Sequence, residues 1–171
     1  MITAICPGSY DPVTNGHVDI IRRAALIFDR IVVGVVRDPH HKATLFSVDE
    51  RVTFLEDALN GVENVVVDVF SELVVEFARK HNAKTMVKGL RVISDFEWEF
   101  QMNHLNRQLA PEIETVYVMA NPQYSFVSSS GVKEIASFGG RVDELVPESV
   151  AHRFKELYPD GKPGAPVSPQ E

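Results

Sequence analysis

With 171 residues, 44% of them apolar, and a formal net charge of −7 at pH 7, the chain is long enough for one domain with a sizeable core. The acidic balance argues against a general nucleic-acid binder, which carries a basic excess. Its one cysteine, Cys6, excludes an intrachain disulfide; no apolar run is long enough to span a bilayer and no secretory signal opens the chain, so a cytoplasmic protein with no membrane and no nucleic-acid partner is expected.

Five strand-like runs alternate with helical patterns. The first strand is expected over Ile2–Cys6, with Cys6 as a small buried hydrophobe rather than a catalytic thiol. A helix over Gly16–Phe28 follows, with Val18, Ile21, Ala25 and Phe28 on one stripe. Ile31–Val36 and Val65–Val69 are rich in Val and Ile with little alternation, as in parallel strands covered on both faces. Between them, a helix over Val48–Leu59 starts at a capping box, Ser47 with Glu50 three residues on. A helix over Leu73–His81 and a strand over Thr85–Val87 come next.

The helix expected over Asp95–Leu109 has two apolar faces. Phe96 and Phe100 share one; Trp98, Met102, Leu105 and Leu109 form a second stripe about 160–200° away. One stripe is expected to pack on the helix's own sheet and the other against a second subunit, the alternative being that both are buried within one chain. A strand over Thr115–Met119, a helix from about Ser130 to Ser137 and a helix over Glu148–Leu157 complete the pattern. Pro159 to Glu171 holds four prolines and two glycines in 13 residues and reads as a solvated, flexible tail. The expected organisation is one domain over 1–158 and a tail over 159–171. Strict alternation of strand and helix predicts an α/β fold with a parallel sheet and right-handed crossovers.

Chemistry-bearing residues gather after the strands. Gly8 to His17 follows the first; its helix start offers unpaired N–H groups and a partial positive charge to phosphates. Gly16 is expected to let a ligand approach the backbone, and His17 to add a ring donor. Asp38-Pro39-His40-His41-Lys42 follows the second strand. Lys88-Gly89-Leu90-Arg91 follows the fourth, where Gly89 is expected to form a turn presenting both cations. Asn121 to Ser130 follows the fifth, and Ser128, Ser129 and Ser130 offer more donors than one helix cap requires. In an open parallel sheet these loops share the carboxyl edge, where ligands bind at the topological switch point. His40 and His41 diverge as neighbours and no cluster completes a metal site, so no protein-held metal is expected.

No Gly-x-x-x-x-Gly-Lys-Ser/Thr loop, no Gly-x-Gly-x-x-Gly after the first strand and no Gly-x-Ser-x-Gly elbow occurs. P-loop NTPase, dinucleotide oxidoreductase and serine hydrolase chemistry therefore lack their signatures.

Thr14-Asn15-Gly16-His17 resembles the (His/Thr)-x-Gly-His signature of the nucleotidylyltransferase superfamily, and Ser128 to Glu134 its distal motif. From about Ala4 to Leu157 the chain resembles the bacterial phosphopantetheine adenylyltransferase family, through Pro7 to Pro12, Asn15-Gly16-His17, Lys88 to Arg91, Asp95-Phe96-Glu97, Glu99 and Tyr124 to Ser130. The resemblance implies a Rossmann-like, doubly wound five-stranded parallel sheet with helices on both faces, and a homohexamer. It implies transfer of AMP from Mg-ATP to 4′-phosphopantetheine, giving dephospho-coenzyme A and pyrophosphate. Mg²⁺ would be bound with the ATP phosphates, and coenzyme A or dephospho-coenzyme A would be product-like ligands.

Carried over by residue, Ser9 and Tyr10 would touch ATP, with Ser9 also near the acceptor, and His17 would stabilise the transition state. Gly89, Leu90, Arg91, Glu99, Tyr124, Ser125, Phe126, Val127, Ser128, Ser129 and Ser130 would hold adenine, ribose and phosphates. Lys42 and Lys88 would grip the acceptor phosphate, and Val74 would line the pantetheine arm. The family's loop has its lysine two residues after the proline; here Lys42 is three after Pro39, so either His41 or Lys42 faces that phosphate. Lys88 replaces an arginine of some relatives, keeping the charge without the bidentate fork.

The physical reading agrees. A phosphate monoester is already an anion at neutral pH and needs no general base. Positioning and charge neutralisation by His17, Lys42, Arg91 and the serines suffice in kind. Two other readings stand beside it: a nucleotidylyltransferase of the same superfamily with a different phosphate acceptor, and a non-catalytic nucleotide-binding module. Lys88 and Arg91 argue against the second.

Overall fold

The computed structural model describes residues 1–39 and 43–159. Along strand β1 (Thr3–Gly8), successive side chains go to opposite faces, and both faces are apolar. Ala4 and Cys6 enter one core and Ile5 the other. Strand β2 (Arg30–Val36) repeats the pattern, with Ile31, Val33 and Val35 on the first face and Val32 on the second. A strand buried on both sides needs helices on both sides, which is why these runs lack polar alternation.

With β3 (Val65–Phe70), β4 (Thr85–Leu90) and β5 (Glu114–Met119) they form one sheet, order β3-β2-β1-β4-β5, every pairing parallel. The first core receives helices α1 (Asn15–Ala25), α2 (Val48–Ala58), α5 (Ser129–Ser137) and α6 (Glu148–Leu157) through residues such as Ile21, Leu55, Val132 and Val150. The second receives α3 (Val74–Lys80) through Val75, Phe77 and Ala78. Helix α4 (Ile93–Leu109) and a 3₁₀ turn (Pro122–Tyr124) complete the order. The five-stranded, doubly wound α/β sheet expected from the sequence is the fold observed. No helix of the described residues is long and apolar enough to cross a membrane. Beyond Pro159, the expected tail lies outside the described residues.

The element boundaries depart from the sequence reading in instructive places. β4 runs through Lys88 and Gly89 to Leu90, because each continues the register with β5 opposite Tyr117, Val118 and Met119. Gly89 is therefore not a turn. It is a close approach: a Cβ there would lie 3.1 Å from Ile20 of α1. Helix α1 ends at Ala25 rather than Phe28, because the N–H groups of Leu26 and Ile27 bond back three residues, to Arg23 and Ala24. Its buried face is Ile20, Ile21 and Ala24, with Val18, Ala25 and Phe28 only partly covered.

The larger correction concerns α4. Neither apolar stripe is buried: Phe96, Trp98, Phe100, Leu105 and Leu109 are all about half exposed or more. The helix is held to the domain by polar contacts. Glu99 pairs with Lys88 at 3.5 Å, the Tyr117 hydroxyl donates to the Glu99 carbonyl, and Arg79 donates to the Leu109 carbonyl.

β1 and β2 pair along all of β1, but β1 and β4 pair only at Ala4 with Thr85 and Ile5 with Met86. Beyond that point the strands part, and Pro7 brings no N–H for a further rung. The gap lies at the reversal of strand order, where a doubly wound sheet presents its ligand crevice.

The back of the sheet is tightly filled at Gly34. A Cβ there would sit 2.5 Å from Phe77, a fully buried ring stacked on Phe70 at 4.6 Å. Gly34→Ala is expected to overpack this layer by about 1–3 kcal/mol, lowering the melting temperature by about 2–12 °C. In the same thermal melts, adding Phe77→Leu to Gly34→Ala should recover part of the loss.

Candidate active site

The parted ends of β1 and β4 wall a cavity of about 260 Å³, lined by Cys6 to Tyr10 on one side and Val87 to Gly89 on the other. The start of α1 closes one end through Thr14, Gly16 and His17, and Tyr124 and Val127 close another. A second depression of about 380 Å³ shares Ser9, His17, Gly89, Arg91 and Glu99, and runs to Ser128, Ser129 and Ser130. Segments distant in sequence therefore converge on one crevice, as the strand-end positions of the motifs predict.

His17 is held by a reciprocal cap. The Thr14 N–H donates to its Nδ1 at 3.0 Å, and the Thr14 hydroxyl accepts from its backbone N–H at 3.4 Å. An Nδ1 that accepts carries no proton, so the ring proton sits on Nε2. Burial, and then the nearby Arg91 charge, push the His17 pKa down to about 4. At neutral pH the ring is an uncharged Nε2–H donor, braced edge-on against Tyr10 at 5.3 Å.

Arg91 is fixed by three bonds. Nε and Nη2 donate to the two Asp95 oxygens at 3.0 and 3.1 Å, and Nη1 donates to the Val127 carbonyl at 2.8 Å. A guanidinium has five N–H groups, so two stay available to a ligand from a plane already set. Burial opposes ionisation of Asp95, but the Arg91 hydrogen bonds and charge hold its carboxyl below the usual carboxylate range. Lys88 reaches Glu99 at 3.5 Å. Asp11 accepts from the N–H groups of Leu45 and Phe46 and pairs with Lys133 at 2.6 Å, joining the β1–α1 loop to α5 and to the start of α2.

The profile of the cytidylyltransferase-like family matches residues 5–135. The phosphopantetheine adenylyltransferase of Caldanaerobacter subterraneus subsp. tengcongensis is 50% identical over 158 residues, 92% of this chain and 98% of that protein. That of Heliobacterium modesticaldum is 49% identical over 168 residues, 98% of this chain and 99% of that protein. The chain belongs to the phosphopantetheine adenylyltransferase family. A solved structure from Vibrio parahaemolyticus, provisionally assigned as a nicotinate-nucleotide adenylyltransferase, has a TM-score of 0.66 at 15% identity, covering 90% of this chain and 99% of that one; it shares the fold.

Many of the family's motif positions line the crevice, and a few do not. Ser9, His17, Lys88, Gly89, Arg91, Glu99, Tyr124 and Val127 line it. Tyr10 lines it with a ring edge, its hydroxyl engaged with the Cys6 carbonyl at 2.8 Å. Leu90 is buried, Phe126 stands out into solvent, and the Ser125 hydroxyl caps back onto Pro122. Two of the three distal hydroxyls are internally bonded: Ser128 caps the Gly131 N–H and Ser129 donates to the Pro12 carbonyl. The donors left at the start of α5 are the Ser130 hydroxyl and the N–H groups of Ser129 and Ser130, which have no intrahelical partner. Gly16 lines the cavity and also packs closely on Tyr124, where a Cβ would lie at 3.3 Å. Val74 opens α3 and packs on the second core. Lys42, with His40 and His41, lies outside the described residues.

Among the described residues no group of three or more His, Cys, Asp or Glu side chains is placed to hold a metal ion. Burial pushes the Cys6 thiol up to about 12 against the pull of Lys88, so it is a protonated wall residue. Thr14 and Asp95 are motif positions whose work, capping His17 and fixing Arg91, is set by the fold. A Thr three residues before a His is the visible trace of the first, and an acid four after Arg91 of the second.

The depressed pKa of His17 makes stability depend on pH. Its folded value, about 4, lies below its ordinary 6.5. Between these values the unfolded chain binds the proton and the folded one does not. The stabilisation is complete above pH 6.5 and is lost as pH falls toward 4. In urea titrations from pH 7 to 4.5, His17→Gln should show a shallower decline than the wild type.

Proposed function

We propose that this chain transfers AMP from Mg-ATP to 4′-phosphopantetheine, giving dephospho-coenzyme A and pyrophosphate. An oxygen of the acceptor phosphate bonds to the α-phosphorus as the bond from that phosphorus to the bridging oxygen breaks. Pyrophosphate leaves with the electron pair. No proton has to be removed from the nucleophile, so no general base is needed, and the task is to bring anions together and stabilise the charge that moves.

The observation that carries the reading is the joint aim of three kinds of donor into one crevice. These are the neutral His17 Nε2–H, the two remaining Arg91 N–H groups and the free N–H groups at the start of α5. Family membership supplies the reaction. An Nε2–H donor strengthens its bond as the phosphoryl oxygens gain charge, without a proton transfer. Arg91 and the α5 start would neutralise the phosphates from the opposite wall. Lys88, and Lys42 or His41, would hold the acceptor phosphate; Glu99, Tyr124, Ser125, Phe126, Val127 and Leu90 would shape the nucleotide site, and Val74 the pantetheine arm. Mg²⁺ would enter on the nucleotide phosphates. Bound there, it would neutralise phosphate charge.

The test is pyrophosphate release from ATP with and without 4′-phosphopantetheine, against other phosphate monoesters and with CTP in place of ATP. Release that requires both ATP and 4′-phosphopantetheine is expected; release with another acceptor alone rejects the assignment. His17→Ala should lower kcat by about 10²–10³-fold, as for loss of one preorganised donor, while ATP affinity changes far less. A fall of less than about fivefold at saturation would remove His17 from the transition state.

The exposed stripes of α4 support a homo-oligomer, and we assign it as a hexamer. Rows of half-exposed Phe, Trp and Leu on both sides of one helix are a surface that a second chain covers. Light scattering at micromolar concentration is expected to give six times the 19.1 kDa chain mass, and Trp98→Glu with Leu105→Glu should reduce it.

A further inference from the structure

Arg51 is the largest of the fully buried side chains, 1% exposed. Its hydrogen bonds run to carbonyl oxygens. Nη1 donates to Ser9 and to Val36, each at 2.8 Å, Nη2 donates to Arg37 at 2.8 Å, and Nε reaches Ser47 at 3.4 Å. Burying a guanidinium on carbonyl oxygens is a costly way to fill space that an apolar side chain of similar volume would fill. What it achieves is geometric. A planar fork on α2 ties the turn after β1 to the end of β2.

That turn is strained. Tyr10, next to Ser9, has φ 50, in the left-handed region that a bulky side chain rarely adopts. Such a conformation persists only where its surroundings over-determine it. Here the Tyr10 hydroxyl is bonded to the Cys6 carbonyl, Asp11 is held by Leu45, Phe46 and Lys133, and Arg51 holds the Ser9 carbonyl. The Tyr10 ring in turn braces His17 edge-on. Ser9 and His17 face the same crevice.

We propose that Arg51 is a positioning residue for the reaction. It acts through the Ser9 carbonyl and the Tyr10–His17 contact, keeping Ser9 and the His17 Nε2–H in register with the opposite wall. Lysine keeps the charge but concentrates its donors on one atom, and cannot span these carbonyls with the same fork.

The inference rests on the transfer reaction proposed above, and the test separates the two. Arg51→Lys and Arg51→Met are compared with Leu55→Ala, a core deletion one turn along the same helix. Thermal melting, ATP titration with stoichiometry, and kcat per ATP-binding site are measured for each. Arg51→Lys is expected to lower kcat per site by about 10²-fold, the scale of an ångström-sized misplacement. Its ATP affinity should stay within about threefold of wild type, because Arg91 and the α5 start are untouched. Leu55→Ala should melt lower yet keep kcat per site within about threefold. The ring ¹⁵N resonances of His17 should move in Arg51→Lys and not in Leu55→Ala; this readout needs no turnover, so it decides the inference even if the wild type releases no pyrophosphate. Where Arg51→Met fails to fold, Arg51→Lys carries the comparison. Wild-type kcat per site and unmoved His17 resonances in Arg51→Lys would overturn the proposal, as would an equal kinetic loss in Leu55→Ala.

Discussion

The site exists because β1 and β4 stop pairing early. They share rungs only at Ala4 with Thr85 and Ile5 with Met86, although both strands continue. Their outer neighbours keep them in place past that point: β2 pairs with β1 to Gly8, and β5 with β4 to Leu90. The result is a slot whose walls are regular strands rather than loops. Backbone and side chains at Cys6 to Gly8 and at Val87 to Gly89 are therefore held by sheet hydrogen bonds while facing a ligand-sized space. Because every strand is parallel, the segments that leave β1 and β5 emerge at the same edge, and α1 and α5 begin there with their N-terminal ends at the slot.

Electrostatics then work locally against the global balance. The chain is net acidic, yet the crevice concentrates Lys88, Arg91 and two helix starts. Each cation is held by an acid: Lys88 by Glu99 and Arg91 by Asp95. These acids orient the donors and spare the cations direct repulsion, while leaving N–H groups on Arg91 for phosphate. His17 is kept uncharged by burial and by Arg91. An imidazolium would be one more cation among cations; a neutral ring can still donate from Nε2. The Thr14–His17 cap selects that tautomer by using Nδ1 as an acceptor.

Helix α4 links the site to the outside. Its first turns supply Asp95 and Glu99 to the crevice cations, and Trp98 lines the same depression, while Phe96, Phe100, Leu105 and Leu109 stay about half exposed. An amphipathic helix ordinarily gains its seat by burying one stripe. Here the seat is polar, and the apolar stripes stay largely exposed.

Periodicity and end signals in the sequence determined the strands and helices, because a doubly covered strand must be apolar throughout and a capping box is a local pattern. Ser47 with Glu50 and the Val-rich runs are examples. Strand-end clustering of His17, Lys88, Arg91 and Ser128 to Ser130 made the crevice legible, since a parallel sheet sends all such ends to one edge. Whether an acid or a hydroxyl serves ligand or protein was not legible, because it depends on partners far along the chain. Ser129 binds Pro12, Asp11 binds Lys133, and Arg51 binds Ser9 and Arg37. Gly89 read as a turn glycine, but it lies inside β4 at a close approach to α1. Helical spacing fixed which residues of α4 share a face. Only the packing of the whole chain decided that neither face is covered, because burial depends on what else reaches that side of the sheet.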